Sequence, residues 1–356
     1  MTAWRAVRQP VVRLDGSHGE GGGQILRTAL FLSTLLDRPF RIDRIRATRP
    51  EPGLKAQHAG ILRILQETTG ARCEGASVGS PTLTFDPGPP RPGAYAYDVG
   101  TAGSVPLILQ TMLPVALLSP ERFRLRLTGG TDVAWGPTID WVTHVIVPLL
   151  RPLADSVEVR VERRGFYPRG GGLVELAVSG GGGLPARVGE RLAQDRTRPG
   201  RVVSLGGASV AHASLAGARV AERQAEAAAA TLREPGWPGA DIARQYVDSA
   251  SNGTSLTLWT VDEHGNRMGS DGLGAPGRPA EHVGADVARR LIEDARAGAT
   301  VDRHLADHLV PWVALGMGPV RVPRVTDHLT TNLTVCRAFL GPDAVSLHDF
   351  VLGPGP

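Results

Sequence analysis

The chain has 356 residues, of which 42% are hydrophobic and 5% aromatic, and its formal net charge is +4. A chain of this length buries a substantial core, as one large domain or as a domain that carries a second one. No stretch approaches the roughly 18 uncharged apolar residues of a membrane span, and the first residues lack the apolar segment of a signal peptide. We therefore expect a cytoplasmic protein without a membrane partner.

Cysteine and lysine usage exclude several classes of chemistry. Cys73 and Cys336 lie far apart without metal-ligand spacing, which argues against a disulfide framework and against a cysteine zinc site. Lys55 is the only lysine, and it lies in PGLKAQH rather than in the GxxxxGK[ST] pattern of a P-loop. The other basic residues are arginines, which suit phosphate binding; GC-rich codon usage explains the same bias and is the simpler explanation.

Three segments of the first half repeat one pattern, in which a short strand is followed by a glycine-rich turn and then by an amphipathic helix. The first helix is predicted from Gln24 to Leu36, with apolar side chains on one face. The second unit runs from YAYDVG through TAGS into VPLILQTMLPVALL, and the third from FRLRLTGG into PTIDWVTHVIVPLL. This spacing predicts a fold of repeated α/β modules with helices covering the sheets.

The pattern changes after a fourth turn, GFYPRGGG, and its strand LVELAVSG. The run GGGGLPARVGERLAQDRTRPG has linker composition. Residues 201–262 then form a strand, helix and strand pattern that ends at a second Gly/Pro run, GSDGLGAPGRP. We interpret this region as an inserted domain, and helical periodicity returns after it.

Glycine-rich turns that open helices direct backbone N–H groups toward an anion, so GEGGGQ and GTAGS are candidate phosphate contacts. Glycines that only permit a tight turn explain each loop equally well. Glu20 lies within the first loop, where a carboxylate is better placed to hold a divalent ion that bridges phosphates. Arg27, Arg46 and Arg49 follow closely, and together with Glu20 they form a candidate site for a phosphorylated substrate.

Three histidines allow two interpretations. His304 and His308 lie four residues apart on a predicted helix, and His328 follows in DHLTTN. As ligands they would hold zinc, although a zincin carries glutamate where Leu305 stands. As a nucleophile, a neutral imidazole would attack the α-phosphate of ATP and expel pyrophosphate. Spacing alone does not choose among the three histidines.

Several motifs occur together in the order of one known family. They are DGSHGEGGGQILRTAL, IRATRPEPGLKAQH, TAGSVPLILQT, GGTD, RRGFYPRGGG, and HLADHLVPWVAL followed by DHLTTN. Over most of the chain outside residues 185–275, the sequence resembles the RNA 3′-terminal phosphate cyclase family.

The resemblance implies an α/β fold: a large domain of repeated units, each a four-stranded sheet with two helices, interrupted by a small α/β domain. We therefore expect residues 1–184 and 276–356 to form the catalytic domain and residues 185–275 the insert. The implied activity is that of a ligase that uses ATP, with Mg²⁺ or Mn²⁺, to convert the 3′-phosphate of an RNA to a 2′,3′-cyclic phosphate. The route passes through a histidine-AMP intermediate and an RNA-adenylate anhydride. No obligate protein partner is implied.

The family's functional residues fall on matching positions of this sequence. The nucleophile falls on His328 and the acidic metal or nucleotide contact on Glu20. Phosphate-contacting arginines fall on Arg27 and Arg46. The ATP-binding positions are Gln110, His304, Leu305, Ala306, Asp307 and His308. The family segment commonly reads YLADQ, so histidines at both of its ends are a departure that leaves the hydrogen bonding at His308 open.

Competing functions make different demands on the sequence. A non-catalytic branch of the family assists ribosome assembly and lacks the nucleophilic histidine, which is present here as His328. Enolpyruvyl transferases look like distant fold relatives, but their substrate-binding lysines have no counterpart. Lysine-based nucleotidyl transfer needs KxDG, whereas Lys55 is followed by Ala56, Gln57 and His58.

Overall fold

The computed structural model describes residues 10–19 and 21–355. Within these ranges no helix is both long enough and apolar enough to cross a membrane. The described residues form four sheets with covering helices, which confirms the predicted α/β class built from sheet and helix units.

The first unit contains a four-stranded sheet in the order β1-β2-β4-β3, with β1 and β2 parallel and the other pairs antiparallel. Its elements are β1 (Val12–Asp15), α1 (Gly23–Leu36), β2 (Phe40–Asp43), α2 (Ala56–Thr69), β3 (Arg72–Glu74) and β4 (Leu83–Asp86). Gly70 caps the C-terminus of α2, and its left-handed backbone (φ 73°) suits glycine.

The second unit repeats this topology, with the sheet order β5-β6-β8-β7 and a parallel first pair. Its elements are β5 (Gly93–Asp98), α3 (Val105–Leu118), β6 (Phe123–Gly129), β7 (Ser156–Arg163) and β8 (Gly172–Ser179). A broken helix joins β6 to β7: α4 (Ile139–Trp141), a π-helical turn (Val142–Ile146), α5 (Val147–Leu150) and a 3₁₀ turn (Arg151–Leu153). The short helix α6 (Leu184–Arg191) follows β8.

A small unit follows in the chain, with a sheet of order β10-β9-β11-β12 and two helices. Its elements are β9 (Val202–His212), α7 (Val220–Thr231), β10 (Asp241–Val247), β11 (Thr254–Asp262), β12 (Arg267–Leu273) and α8 (Ala280–Arg296). Helices α7 and α8 pack on each other and on this sheet, around a separate hydrophobic core that includes Ala225, Leu256 and Val287.

The third unit is split by the small one. After α8 come α9 (Arg303–Ala314), β13 (Val320–Arg321), α10 (Asp327–Leu340), β14 (Val345–His348) and β15 (Val351–Pro354). The sheet order β13-β15-β14 matches the last three strands of the earlier units, and a parallel bridge joins Arg196 to Val320. Arg196 thus occupies the place of the first strand, on the far side of the insertion.

Both ends of the insertion meet at Arg321. The Nε of Arg321 donates to the Thr197 carbonyl oxygen at 3.4 Å, and its backbone N–H donates to Thr300 Oγ1 at 2.9 Å. A module whose ends lie together fits into a host fold without crossing its core. The small unit is therefore best described as residues 199–298.

The division predicted at residues 185 and 275 stays a prediction, and the packing favours later boundaries. Leu184, Val188 and Leu192, in and just after α6, belong to the main hydrophobic core, which we call the large core. Val283 and Leu291 of α8 belong instead to the separate core of the small unit. Composition marked the Gly/Pro-rich segments, but burial of apolar faces decides which unit a helix joins.

Two helical glycines provide a test of the α7–α8 packing. A Cβ on Gly284 of α8 would lie 2.2 Å from the Gln224 carbonyl oxygen of α7, whereas a Cβ on Gly189 of α6 would meet no atom within 4 Å. We expect Gly284→Ala to destabilise the protein by about 1–3 kcal/mol through overpacking. We expect Gly189→Ala to stabilise it by about 0.5–1 kcal/mol, because alanine loses less backbone entropy in a helix. Urea unfolding of both variants measures the difference, and equal effects would contradict the close packing.

Candidate active site

A cleft of about 730 Å³ opens where the first, second and third units meet. Its walls come from the start of α1, the loop before α2, the loop before α4 and the first turns of α9 and α10. The titratable side chains that line it are Arg27, Arg46, Arg49, Lys55, His58, Asp271, His304, Asp307, His308 and His328. The first turns of α1, α2, α9 and α10 all line this basic cleft, and the partial positive charge of helix N-termini adds to the attraction of anions.

His328 lies in the first turn of α10, where the helix cap fixes its backbone. The Thr326 hydroxyl accepts a hydrogen bond from the Leu329 N–H at 2.9 Å and itself donates to the Asp307 carboxylate of α9. The start of α10 is thus held directly against α9. His328 is only partly exposed and faces the cleft.

Asn332, one turn further along α10, joins three helices in a buried network. Its side-chain amide donates to the Asp307 carbonyl oxygen at 2.7 Å, and its Oδ1 accepts from Thr28 Oγ1 at 2.7 Å. Gln24 of α1 donates to the same oxygen at 3.3 Å. Since both α1 and α9 are tied to Asn332, the relative positions of His328 and the α1 side chains are fixed.

Arg27 carries a buried positive charge on α1. Its Nε donates to Gln110 Oε1 at 2.9 Å and its Nη2 to Gln24 Oε1 at 2.7 Å. These partners are neutral amides, and burial lowers the pKa of Arg27 to about 10, so the guanidinium stays charged at neutral pH. The arrangement leaves a preoriented cation that suits a phosphate ligand.

Helix α9 presents two histidines to the cleft and is anchored by its cap. Asp302 accepts hydrogen bonds from the N–H groups of His304 and Leu305, and its other oxygen accepts from Gly269 of the small unit at 2.8 Å. Burial raises the pKa of Asp302 to about 6. The small unit thus supports the helix that forms one wall of the cleft.

His308 is a neutral imidazole. Burial, followed by the charges of Arg27, His304 and His328, lowers the pKa of His308 to about 3. Its Nδ1 has no hydrogen-bond partner among the described residues, and its ring lies 5.1 Å from that of Trp141. The described residues contain no group of three His, Cys, Asp or Glu side chains placed to hold a metal ion.

His58 is a cleft residue that the sequence analysis did not assign a role, although it ends the PGLKAQH motif. Its Nδ1 accepts from the Lys55 N–H at 3.1 Å, so the proton of the neutral ring lies on Nε2. Burial and the charges of Arg27, Arg46 and Lys55 lower the pKa of His58 to about 3. A Cβ on Gly23 would lie 2.3 Å from that Nε2, which explains the glycine there.

The other predicted site residues occupy different places. Arg46 lines the cleft, and its Nε has no partner among the described residues. Gln110 reaches the site through Arg27 and lines a smaller cavity behind it. Glu20 lies outside the described residues.

Two positions of the predicted nucleotide-binding segment face away from the cleft. The side chains of Leu305 and Ala306 are fully buried in the large core. On α9, helical spacing directs His304, Asp307 and His308 toward the cleft and these two residues inward. The side chains of Leu305 and Ala306 therefore have a packing role, and the assignment of the segment from His304 to His308 to ATP binding stays a prediction.

The two neutral histidines predict a pH-dependent stability. His58 and His308 titrate at about pH 3 in the folded protein and near 6.5 when unfolded, so the unfolded chain binds more protons between these values. The free energy of unfolding therefore falls as the pH falls through this range. Each histidine contributes a loss of about 2 kcal/mol between pH 7 and pH 5.

His58→Asn isolates one of these contributions, because asparagine keeps an acceptor for the Lys55 N–H but does not titrate. Urea unfolding at pH 7 and pH 5 should show a smaller loss of stability in this variant than in the wild type. His264→Asn, at an exposed turn of the small unit, is the control. Parallel behaviour of the wild type and His58→Asn would contradict the buried neutral histidine.

Comparison with known proteins identifies the family of the chain. Residues 18–344 match the family described as RNA 3′-terminal phosphate cyclase. A protein of that name from Hyperthermus butylicus is 42% identical over 337 residues, which cover 92% of this chain and 91% of that protein. Those from Pyrococcus furiosus (38% identical, 93% and 94% covered) and Caldivirga maquilingensis (40%, 95% of both) are also similar. The chain belongs to the RNA 3′-terminal phosphate cyclase family.

Proposed function

We propose that this chain is a ligase that uses ATP to convert the 3′-terminal phosphate of an RNA to a 2′,3′-cyclic phosphate. The observation that supports this most strongly is the position of His328, in the first turn of α10, on a cleft that also presents Arg27 and Arg46. A nucleophile beside a helix N-terminus and buried guanidinium charge suits attack on a phosphate that carries negative charge.

The proposed reaction has three steps, and each step forms one bond to phosphorus and breaks another. A nitrogen of His328 attacks the α-phosphorus of ATP, and the bond to pyrophosphate breaks. An oxygen of the RNA 3′-phosphate then attacks the same phosphorus, so that AMP passes to the RNA and the imidazole is released. Finally the neighbouring 2′-hydroxyl loses its proton and attacks the 3′-phosphorus, which expels AMP and closes the cyclic ester.

Residues around His328 have distinct supporting roles in this proposal. Arg27, held by Gln24 and Gln110, binds phosphate oxygens as a fixed cation, and Arg46 does so from the loop before α2. Neutral His58 donates from Nε2 toward the same region. His304, Asp307 and His308, on the cleft face of α9, contact the nucleotide.

A divalent ion would neutralise charge on the phosphates of ATP. The described part of the cleft offers the carboxylates of Asp271 and Asp307, and each already accepts a hydrogen bond. These two side chains alone do not make a cation site, so a bound ion would depend on ATP phosphates and on Glu20. The cytoplasmic location expected from the sequence belongs to this proposal as well.

The nucleophile is tested by labelling. Incubation with α-labelled ATP and Mg²⁺ or Mn²⁺ should give acid-labile label on the wild-type protein, and His328→Ala should lose it completely while keeping its fold. His264→Ala, at the exposed turn of the small unit away from the cleft, should retain label. Label on folded His328→Ala at the wild-type rate would move the nucleophile elsewhere, and an unlabelled wild type would favour the non-catalytic alternative.

The phosphate role of Arg46 is tested against a neighbouring arginine. Arg44 lies in the same loop with a similar positive φ (56° against 55°), but it pairs with Asp15 instead of lining the cleft. We expect Arg46→Ala to lower cyclisation about 10- to 150-fold, which corresponds to a lost charge-assisted hydrogen bond of about 1.5–3 kcal/mol. Arg44→Ala should have nearly wild-type activity.

Thermal unfolding separates the phosphate role from stability. Arg46→Ala should leave Tm close to the wild-type value, because burial of Arg46 already disfavours its charge in the free protein. Arg27→Ala should lower both activity and Tm, since it leaves the buried amide oxygen of Gln24 and the half-buried one of Gln110 without their donor. A matching loss of activity and Tm in Arg46→Ala would show a structural role instead.

A further inference from the structure

Trp135 is an exposed aromatic ring at the rim of the active-site cleft. Trp135 is 97% exposed, more than any other large hydrophobic residue among those described, and it lines the same cleft as the basic loop before α2. Its backbone has φ 69°, a left-handed conformation that residues other than glycine rarely adopt. An exposed indole held in a constrained backbone at the rim of a cleft is available to stack on a ligand, and tryptophan is enriched at such interfaces.

The loop that carries this ring is held in place on both sides. A Cβ on Gly136 would lie 2.7 Å from Ser104 Oγ and 3.2 Å from Leu107 Cγ, so the loop packs directly on the start of α3. The Thr138 N–H donates to Asp271 Oδ2 at 2.5 Å, and the Thr138 hydroxyl lies 2.7 Å from that of Thr257. Contacts to the second unit and to the small unit therefore fix the loop that carries the Trp135 ring.

The surroundings of Trp135 indicate the chemistry of the ligand. The same cleft is lined by Arg46 and Arg49, whose guanidinium groups attract phosphates, while the indole offers a flat apolar face. A ligand that carries a planar base next to phosphates satisfies both features. Nucleic acids bind proteins in this way, with bases stacked on aromatic rings and backbone phosphates on cations.

Two nucleotides enter the cleft in the proposed reaction, and exposure distinguishes between them. A small ligand such as ATP is held in a pocket that buries most of its surface. An indole that is 97% exposed has no opposing wall to enclose an adenine. It suits a base of a strand that lies across the rim, because the other face of that base stacks on its own neighbour in the strand.

We propose that Trp135 is a stacking platform for one base of the RNA strand near its 3′ end, at a subsite separate from the ATP-binding part of the cleft. This inference rests on the proposed function for the identity of the strand. The stacked base holds the terminal phosphate in reach of Arg27, Arg46 and His328. Since every base has a stacking face, the subsite tolerates any sequence.

The test separates RNA binding from ATP chemistry. Binding of a fluorescein-labelled, 3′-phosphorylated oligoribonucleotide is measured by anisotropy, which requires no catalysis, and self-labelling with α-labelled ATP is measured without RNA. We expect Trp135→Ala to weaken oligonucleotide binding about 5- to 100-fold and to leave self-labelling at the wild-type rate. Trp135→Phe should restore most of the affinity.

A matched control uses the other exposed aromatic side chain at a positive φ. Phe350 is 52% exposed with φ 61°, lies between β14 and β15, and does not line the cleft. Phe350→Ala should bind the oligonucleotide like the wild type. Equal losses in Phe350→Ala and Trp135→Ala would overturn the proposal, because they would reflect a general effect of losing a surface aromatic.

Abasic substitution locates the stacked base. In a series of oligonucleotides with one abasic site moved from the 3′ end inward, wild type and Trp135→Ala should bind equally at one position only. Unchanged binding by Trp135→Ala, or loss of its self-labelling in a folded protein, would overturn the subsite. A wild type that binds RNA through Trp135 but does not label would overturn the proposed function and keep the subsite.

Discussion

The side-chain amide of Asn332 is the contact on which the geometry of the site depends. Asn332 belongs to α10. Its side chain accepts hydrogen bonds from two side chains of α1 and donates one to the backbone of α9, so three helices from two different units share one buried polar group. A buried amide left without such partners is costly, which makes this arrangement highly specific. His328 and Arg27 are positioned relative to each other because their helices have a common anchor.

The electrostatics of the cleft follow from a separation of charged and neutral groups. Arg27 keeps its charge because its partners are amides, whereas His58 and His308 lose theirs because burial and nearby cations oppose protonation. A neutral imidazole donates or accepts a hydrogen bond without adding positive charge. The site therefore concentrates its cationic character on the arginines, whose forked geometry suits phosphate oxygens.

Much of the fold was predictable from sequence, because glycine turns followed by amphipathic periodicity mark each unit. The helix predicted from Gln24 to Leu36 is observed from Gly23 to Leu36. The split third unit was not predictable, since its first-strand position is a single bridge at Arg196 with no strand pattern of its own. Motif order identified His328 as the candidate nucleophile. It did not show that Leu305 faces the core or that His58 is neutral, because both depend on tertiary contacts.

The split of the third unit has a consequence for the order in which the chain folds. Arg196 is made before the insertion and Val320 after it, so their pairing in an unfolded chain closes a long loop at a considerable entropic cost. Prior folding of residues 199–298 brings Thr197 and Thr300 together and removes most of that cost. We therefore expect the small unit to fold first during synthesis. Its folding holds the two flanking segments together and so accelerates formation of the third unit's sheet.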